Sequence, residues 1–228
     1  MLLCLNQVLN EEELLAIRQA VQQGEWSDGR LSAGGMAAQV KQNRQLCKAW
    51  MQAHHMSPGQ YVQRKVMQHP EFISAALPTL LYPPQFNAYR SGEHYGLHVD
   101  AALMTHPELV QALRCDVSCT LFLSEPEDYE GGELQIETSF GAQSVKLEAG
   151  SLVLYPSSSL HQVTPVTAGE RLACFFWVQS RVRDDALRST LYELDQSIQA
   201  LRGNPAVPAE QCLNLVQVYH NLLRRCAE

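Results

Sequence analysis

Residues 152–178 read LVLYPSSSLHQVTPVTAGERLACFFWV. Three short runs, 152–155, 161–164 and 172–178, are cut apart by Pro156 with its serines and by Ala168-Gly169. Each run is too short for a stable helix and suits a strand bounded by turn residues. Moving toward the N-terminus, the same rhythm continues through 144–147, 134–136, 118–123, 97–100 and 85–89, with Ala149-Gly150, Gly131-Gly132 and Ser91-Gly92 among the breaks. Eight short strands at this spacing predict a sandwich or an open barrel of the jelly-roll kind. A barrel this small has room inside for one ligand.

Helical patterns flank the strands, so the expected class is α+β with a mainly β core. Asn10 and Glu13 form a capping-box pattern ahead of Leu14, Ile17 and Val21 at helical spacing. Residues 24–35, GEWSDGRLSAGG, read as a loop and contain neither GxGxxG nor GxxxxGK, which argues against a phosphate cradle. Ser57-Pro58 opens a second helix that ends before Pro70. After Arg183, two amphipathic stripes form a helical hairpin: Leu187, Leu191, Leu194, Ile198 and Leu201, then Cys212, Leu215, Tyr219, Leu222 and Cys226. The stripes pack on each other and on the barrel, or they form the seam of a homodimer. The expected division is a support region over 1–79, a barrel over 80–178 and a helical extension over 184–228.

The chain has 228 residues, 46% of them hydrophobic, enough for a real core, and a formal charge of −7. That charge argues against binding nucleic acid through a basic face. The longest apolar run has seven residues, far short of the roughly 20 that span a bilayer. The first basic residue is Arg18, so no signal-peptide n-region is present. Seven scattered cysteines without a CxxC suit a reduced, cytoplasmic protein.

The chemistry concentrates in 89–100, YRSGEHYGLHVD. His98 and Asp100 are two apart on an expected strand and so leave the same face. Alone, this pair is as readily a surface histidine beside a solvated aspartate. A jelly roll sets His161 on a strand beside the one carrying His98. Two imidazoles and one carboxylate on one face of an ion leave three positions open, which is the donor set of non-haem Fe(II) oxygenases. Arg171 lies at the start of a strongly apolar strand, where a guanidinium is costly unless an anion pairs with it. Other candidates read more plainly: His94 as a loop residue or one beside the substrate, His54 and His55 as a helix-surface pair, and His106 as loop. Cys115 and Cys119 read as small packed groups, and Trp26 and Met36 as packing residues rather than a lid.

Tyr89, His98-x-Asp100, Gly131-Gly132-Glu133-Leu134, His161 and Arg171 together resemble the Fe(II)/2-oxoglutarate-dependent dioxygenases of the prolyl 4-hydroxylase type. With the C-terminal hairpin, the whole chain is similar to the bacterial PKHD-type hydroxylases, which are often associated with iron uptake. The resemblance implies a double-stranded β-helix, iron held by His98, Asp100 and His161, and 2-oxoglutarate whose far carboxylate meets Arg171. It implies coupled decarboxylation to succinate and CO₂, O₂ as the second co-substrate, and L-ascorbate (vitamin C) as reductant. One position departs from the pattern. Animal relatives carry a tyrosine on the third barrel strand to help hold that carboxylate, whereas Leu121 and Phe122 stand here. Tyr89 and Thr120 are the candidates for the missing donor. The substrate stays open among prolyl or lysyl residues and small molecules. Two competing readings keep the same metal residues: a non-catalytic, cupin-like sensor, and a zinc hydrolase that leaves Arg171 unexplained.

Overall fold

A computed structural model describes residues 1–53 and 57–228, apart from the side chains of 52 and 53; His54 and His55 lie outside the described residues. All eight expected runs are strands: β1 Gln85–Arg90, β2 His94–His98, β3 Val117–Phe122, β4 Leu134–Thr138, β5 Gly141–Val145, β6 Leu152–Pro156, β7 His161–Val163 and β8 Val166–Ser180. They form two antiparallel sheets, ordered β6-β3-β8-β1 and β5-β4-β7-β2. This interleaving, in which sheet neighbours other than the β4–β5 hairpin are not consecutive in sequence, is the jelly roll, or double-stranded β-helix. Leu3–Leu5 extends the first sheet beside β6, Arg44–Leu46 and Trp26–Asp28 extend it beyond β1, and Lys41–Gln42 extends the second sheet beside β2.

Period-two alternation gives the first sheet two different faces. Phe86, Cys119, Leu121, Cys174, Phe176 and Val178 point outward into the main core, where they meet helices. Each fully buried side chain of this size stabilises the fold by about 1.5–3 kcal/mol. The helices are α1 Glu11–Gln22, α2 Pro58–Val66 and α3 Pro70–Ala76, which contribute Ile17, Val62 and Phe72 to that core. Asn10 and Glu13 complete the capping box reciprocally, and Ser57 caps α2 with Pro58 in its first turn. The opposite face carries Gln85, Asn87, Tyr89, Thr120, Arg171 and Phe175 and lines an internal cavity. A second core between the sheets holds Phe122, Tyr129, Leu134, Ile136, Tyr155 and Val163, of which Leu134, Tyr155 and Val163 also line the cavity.

The C-terminal hairpin is α4 Asp185–Arg202 and α5 Ala209–Cys226. It docks on Leu77 and Val182 through Leu187, Leu191, Tyr219 and Leu222. Ser74 donates to Asp195 Oδ2 at 2.6 Å and Tyr192 to Glu71 Oε1 at 2.7 Å, tying α4 to α3.

Four local expectations need correcting. Residues 24–35 are not simply loop: Trp26–Asp28 pairs with Arg44–Leu46, and a 3-10 turn, Gly29–Ser32, follows. Pro70 does more than stop a helix, because it stands in the first turn of α3, where its missing N–H costs nothing. Met36 is not packed inside but 84% exposed. The strand expected at 97–100 ends at His98, so Asp100 sits past its end rather than on its face.

Candidate active site

His98 closes β2, His161 opens β7, and the two are direct cross-strand partners in an antiparallel pair. Their rings therefore meet, with centroids 4.2 Å apart. Asp100 reaches the same point from the segment after β2, its Oδ2 3.7 Å from His161 Nε2. One ligand atom from each of His98, Asp100 and His161 lies within 4.8 Å of the others, the one such trio of metal-ligating side chains among the described residues.

Supporting contacts orient each member. His98 Nδ1 lies 2.8 Å from the Gly96 carbonyl, and His161 Nδ1 lies 3.0 Å from that of Ser159. A carbonyl can only accept, so both Nδ1 atoms carry the proton and both Nε2 lone pairs face inward, free for a metal. Ser118 donates to Asp100 Oδ2 at 2.6 Å and is itself 2.8 Å from Ser157 Oγ. The Tyr95 ring stacks on His98 at 3.5 Å, and Tyr155 meets His161 edge-on at 5.1 Å. Burial, followed by the neighbouring His161, pulls the pKa of His98 down to about 4, so its imidazole is neutral at physiological pH. Two imidazole nitrogens and a carboxylate oxygen suit a dication with open positions, Fe(II) among them.

Arg171 opens onto the same cavity and is 1% exposed. Its guanidinium carbon lies 5.4 Å from the Tyr89 ring and 5.2 Å from the Phe122 ring. Nε and Nη1 find no hydrogen-bond partner among the described residues. A buried cation with idle donors is costly, and an incoming carboxylate removes that cost. The far carboxylate of 2-oxoglutarate is such a group, and the donors present fit it.

The other sequence candidates divide. Tyr89 is fully buried directly across from Arg171 in the β1–β8 register, and Thr120 lines the cavity wall. Phe122 presents its ring to Arg171, whereas Leu121 faces the main core. His94 lies on β2 outside the trio and the cavity lining. His106 is buried edge-on against Tyr82 at 5.2 Å. Cys115 and Cys119 are buried free thiols, Trp26 packs against the main core, and Met36 stands at the cavity wall.

Sequence reasoning missed Ser118 and Tyr129. Ser118 was detectable as a hydroxyl near the start of the six-residue buried strand β3. Tyr129 pairs with Gly169, two residues before Arg171 on β8, which makes it a same-face diagonal neighbour of that arginine. Its hydroxyl is buried with no partner among the described residues. Burial pushes its pKa up, and the Arg171 guanidinium works against that rise.

The comparisons agree with this architecture. Residues 84–179 match the 2OG-Fe(II) oxygenase superfamily, and residues 185–228 match the PKHD-type hydroxylase C-terminal domain. A PKHD-type hydroxylase of Teredinibacter turnerae is 52% identical over 228 residues, covering 100% of both chains. Among solved structures, a Trichoplax adhaerens prolyl hydroxylase in complex with a hypoxia inducible factor peptide fragment superposes with a TM-score of 0.58 at 16% identity, covering 83% of this chain and 86% of that one. A Pseudomonas putida prolyl-4-hydroxylase gives 0.54 at 20% identity, covering 79% and 92%. At these identities the solved structures speak to the fold.

Proposed function

This chain belongs to the PKHD-type hydroxylases and is a 2-oxoglutarate-dependent dioxygenase, and from that premise we propose that His98, Asp100 and His161 hold its Fe(II) and that Arg171 binds the far carboxylate of 2-oxoglutarate. The observation that carries the proposal is the meeting of three convergent ligand atoms and an unpartnered buried guanidinium in one cavity. Iron and 2-oxoglutarate bound there supply the O₂-dependent hydroxylation of a C–H bond, coupled to release of succinate and CO₂.

The chain's own groups have defined tasks in this reading. Gly96 and Ser159 carbonyls fix the histidine tautomers. Ser118 anchors the Asp100 carboxylate beside the metal position. Arg171 sets the direction of 2-oxoglutarate, and the Tyr89 and Phe122 rings beside it keep water off its guanidinium. Tyr129 is the second donor to the far carboxylate, in place of the hydroxyl that Phe122 lacks, and supersedes Tyr89 and Thr120 in that role. Tyr89 then serves mainly as the aromatic wall of the 2-oxoglutarate site.

Family resemblance extends the proposal to hydroxylation of a prolyl- or lysyl-like residue or a small molecule, in a cytoplasmic iron-uptake setting, with ascorbate as reductant. Residues 80–178 act as the catalytic unit, 1–79 support it, and 184–228 form the extension that a homodimer would use. Aerobic assays of purified protein test the core of the reading. Succinate should form from 2-oxoglutarate only with both Fe(II) and O₂, and should cease in Asp100→Ala. Succinate formation that persisted with zinc alone, or without O₂, would contradict it.

A further inference from the structure

The cavity runs to about 830 Å³, well beyond what 2-oxoglutarate fills, and its charged lining is unbalanced. Lys41, Lys48 and Arg171 line it as cations, and Asp100 is its one carboxylate among the described residues. Bound Fe(II) and the 2-oxoglutarate dianion cancel each other, so the surplus of positive charge persists after both have bound. This occurs in a chain whose formal charge is −7.

The two lysines come from different elements than Arg171. Lys41 belongs to the short edge strand beside β2 and is 5% exposed. Its Nζ donates to Ser32 Oγ at 2.9 Å and lies 5.0 Å from the centre of the Tyr95 ring, the ring that stacks on His98. A lysine ammonium has three donors, so this arrangement leaves capacity toward the cavity. Lys48, at the exposed start of a short helix, donates to Tyr82 Oη at 3.2 Å. Neither lysine forms an ion pair among the described residues, and burial pulls the pKa of Lys41 down to about 8, the more distant Asp100 and Asp28 charges offsetting only part of that cost. Met36, Leu97, Met104 and Trp177 line the same cavity and offer apolar surface for the body of a ligand.

We propose that the primary substrate is a small organic acid, whose carboxylate is held by Lys41 with Lys48 at the mouth while its apolar part lies over Met104 and Trp177. The proposal rests on the oxygenase reading above and names the substrate class for that site. A small molecule is favoured over a peptide because Lys41 is deeply buried and the cavity has the size of a small-ligand site.

The test uses full-length protein loaded anaerobically with Fe(II) and 2-oxoglutarate, so that binding is measured without turnover. Probes are N-acetylphenylalanine, 3-phenylpropionate and decanoate, each against its primary amide, followed through tryptophan fluorescence. The visible charge-transfer band of the Fe(II)–2-oxoglutarate chelate is recorded in the same samples. At least one acid should bind about tenfold or more tightly than its amide, the difference expected for a charge-assisted hydrogen bond. Lys41→Met should abolish that preference and Lys48→Met reduce it, with the charge-transfer band unchanged. An intact band with no acid preference in any pair overturns the substrate proposal alone. Absence of the band from wild-type protein contradicts the oxygenase reading instead. A preference confined to a glutamate-containing heptapeptide over its glutamine counterpart overturns the small-molecule assignment.

Discussion

The two ends of the cavity are finished to different degrees. At the His98–Asp100–His161 end, protein groups already hold each ligand: Gly96 and Ser159 carbonyls take the imidazole protons that face away from the metal position, and Ser118 anchors Asp100 through Oδ2. At the Arg171 end, Nε, Nη1 and the Tyr129 hydroxyl have no partner among the described residues. The first end is tuned in advance to receive a cation, with ligand orientation fixed by hydrogen bonds. The second carries an unpaid desolvation cost that only an incoming anion relieves. One end therefore contributes order and the other contributes drive.

That contrast can be broken hardest at the metal end. Asp100→Ala or His161→Ala should abolish Fe(II) retention and succinate formation together, measured by metal analysis and by 2-oxoglutarate turnover. At the other end the effects should split. Arg171→Met should weaken 2-oxoglutarate by about 30-fold or more, the scale of losing a buried charged hydrogen-bonding partner, while Fe(II) binding persists. The same change should raise the melting temperature of the metal-free protein, since it removes a buried cation without a counter-charge. A gain of about 1 kcal/mol corresponds to roughly 2–4 °C in a chain of this size. A fall in melting temperature would mean that the guanidinium already has a partner.

Finer substitutions sharpen the comparison. Ser118→Ala should cost about tenfold in Fe(II) affinity and leave 2-oxoglutarate binding to the iron-loaded protein nearly unchanged. Tyr129→Phe should do the reverse, raising the 2-oxoglutarate KM by about three- to tenfold, with Phe122→Tyr restoring it in the double variant. The smallest effect concerns pH. The unfolded chain protonates its histidines near 6.5, whereas folded His98 resists protonation down to about 4. Between those values the unfolded state binds more protons, so metal-free stability should fall as pH drops through that window, and His98→Gln should make the decline shallower. A pH-independent melting temperature there would contradict the assigned burial.

The barrel was legible because its eight strands are short runs separated by Gly and Pro punctuation. Trp26–Asp28 and Arg44–Leu46 lacked any such signal: WSD and RQL have no alternation of their own and become strands by pairing at the edge beyond β1. The convergence of His98, Asp100 and His161 was readable from spacing plus topology, although Asp100 arrives from beyond the strand end rather than by period-two alternation. Lys41 and Tyr129 were not readable, since tertiary contacts create their surroundings. Tyr95 and Phe175, from different sheets, bracket Lys41, and the Tyr129–Gly169 register brings Tyr129 to Arg171. Gly131 and Gly132 were legible as a turn, but the reason is sharper. Both have positive φ, and a Cβ on Gly131 would come within 2.1 Å of the Pro165 carbonyl oxygen.

An anaerobic crystal structure with Fe(II) and 2-oxoglutarate tests the central claim most directly. The account predicts one iron bound to His98 Nε2, His161 Nε2 and an Asp100 oxygen, with the far carboxylate of 2-oxoglutarate on Arg171 and the Tyr129 hydroxyl. Iron bound elsewhere, or a guanidinium still without an anion beside a bound 2-oxoglutarate, would contradict it.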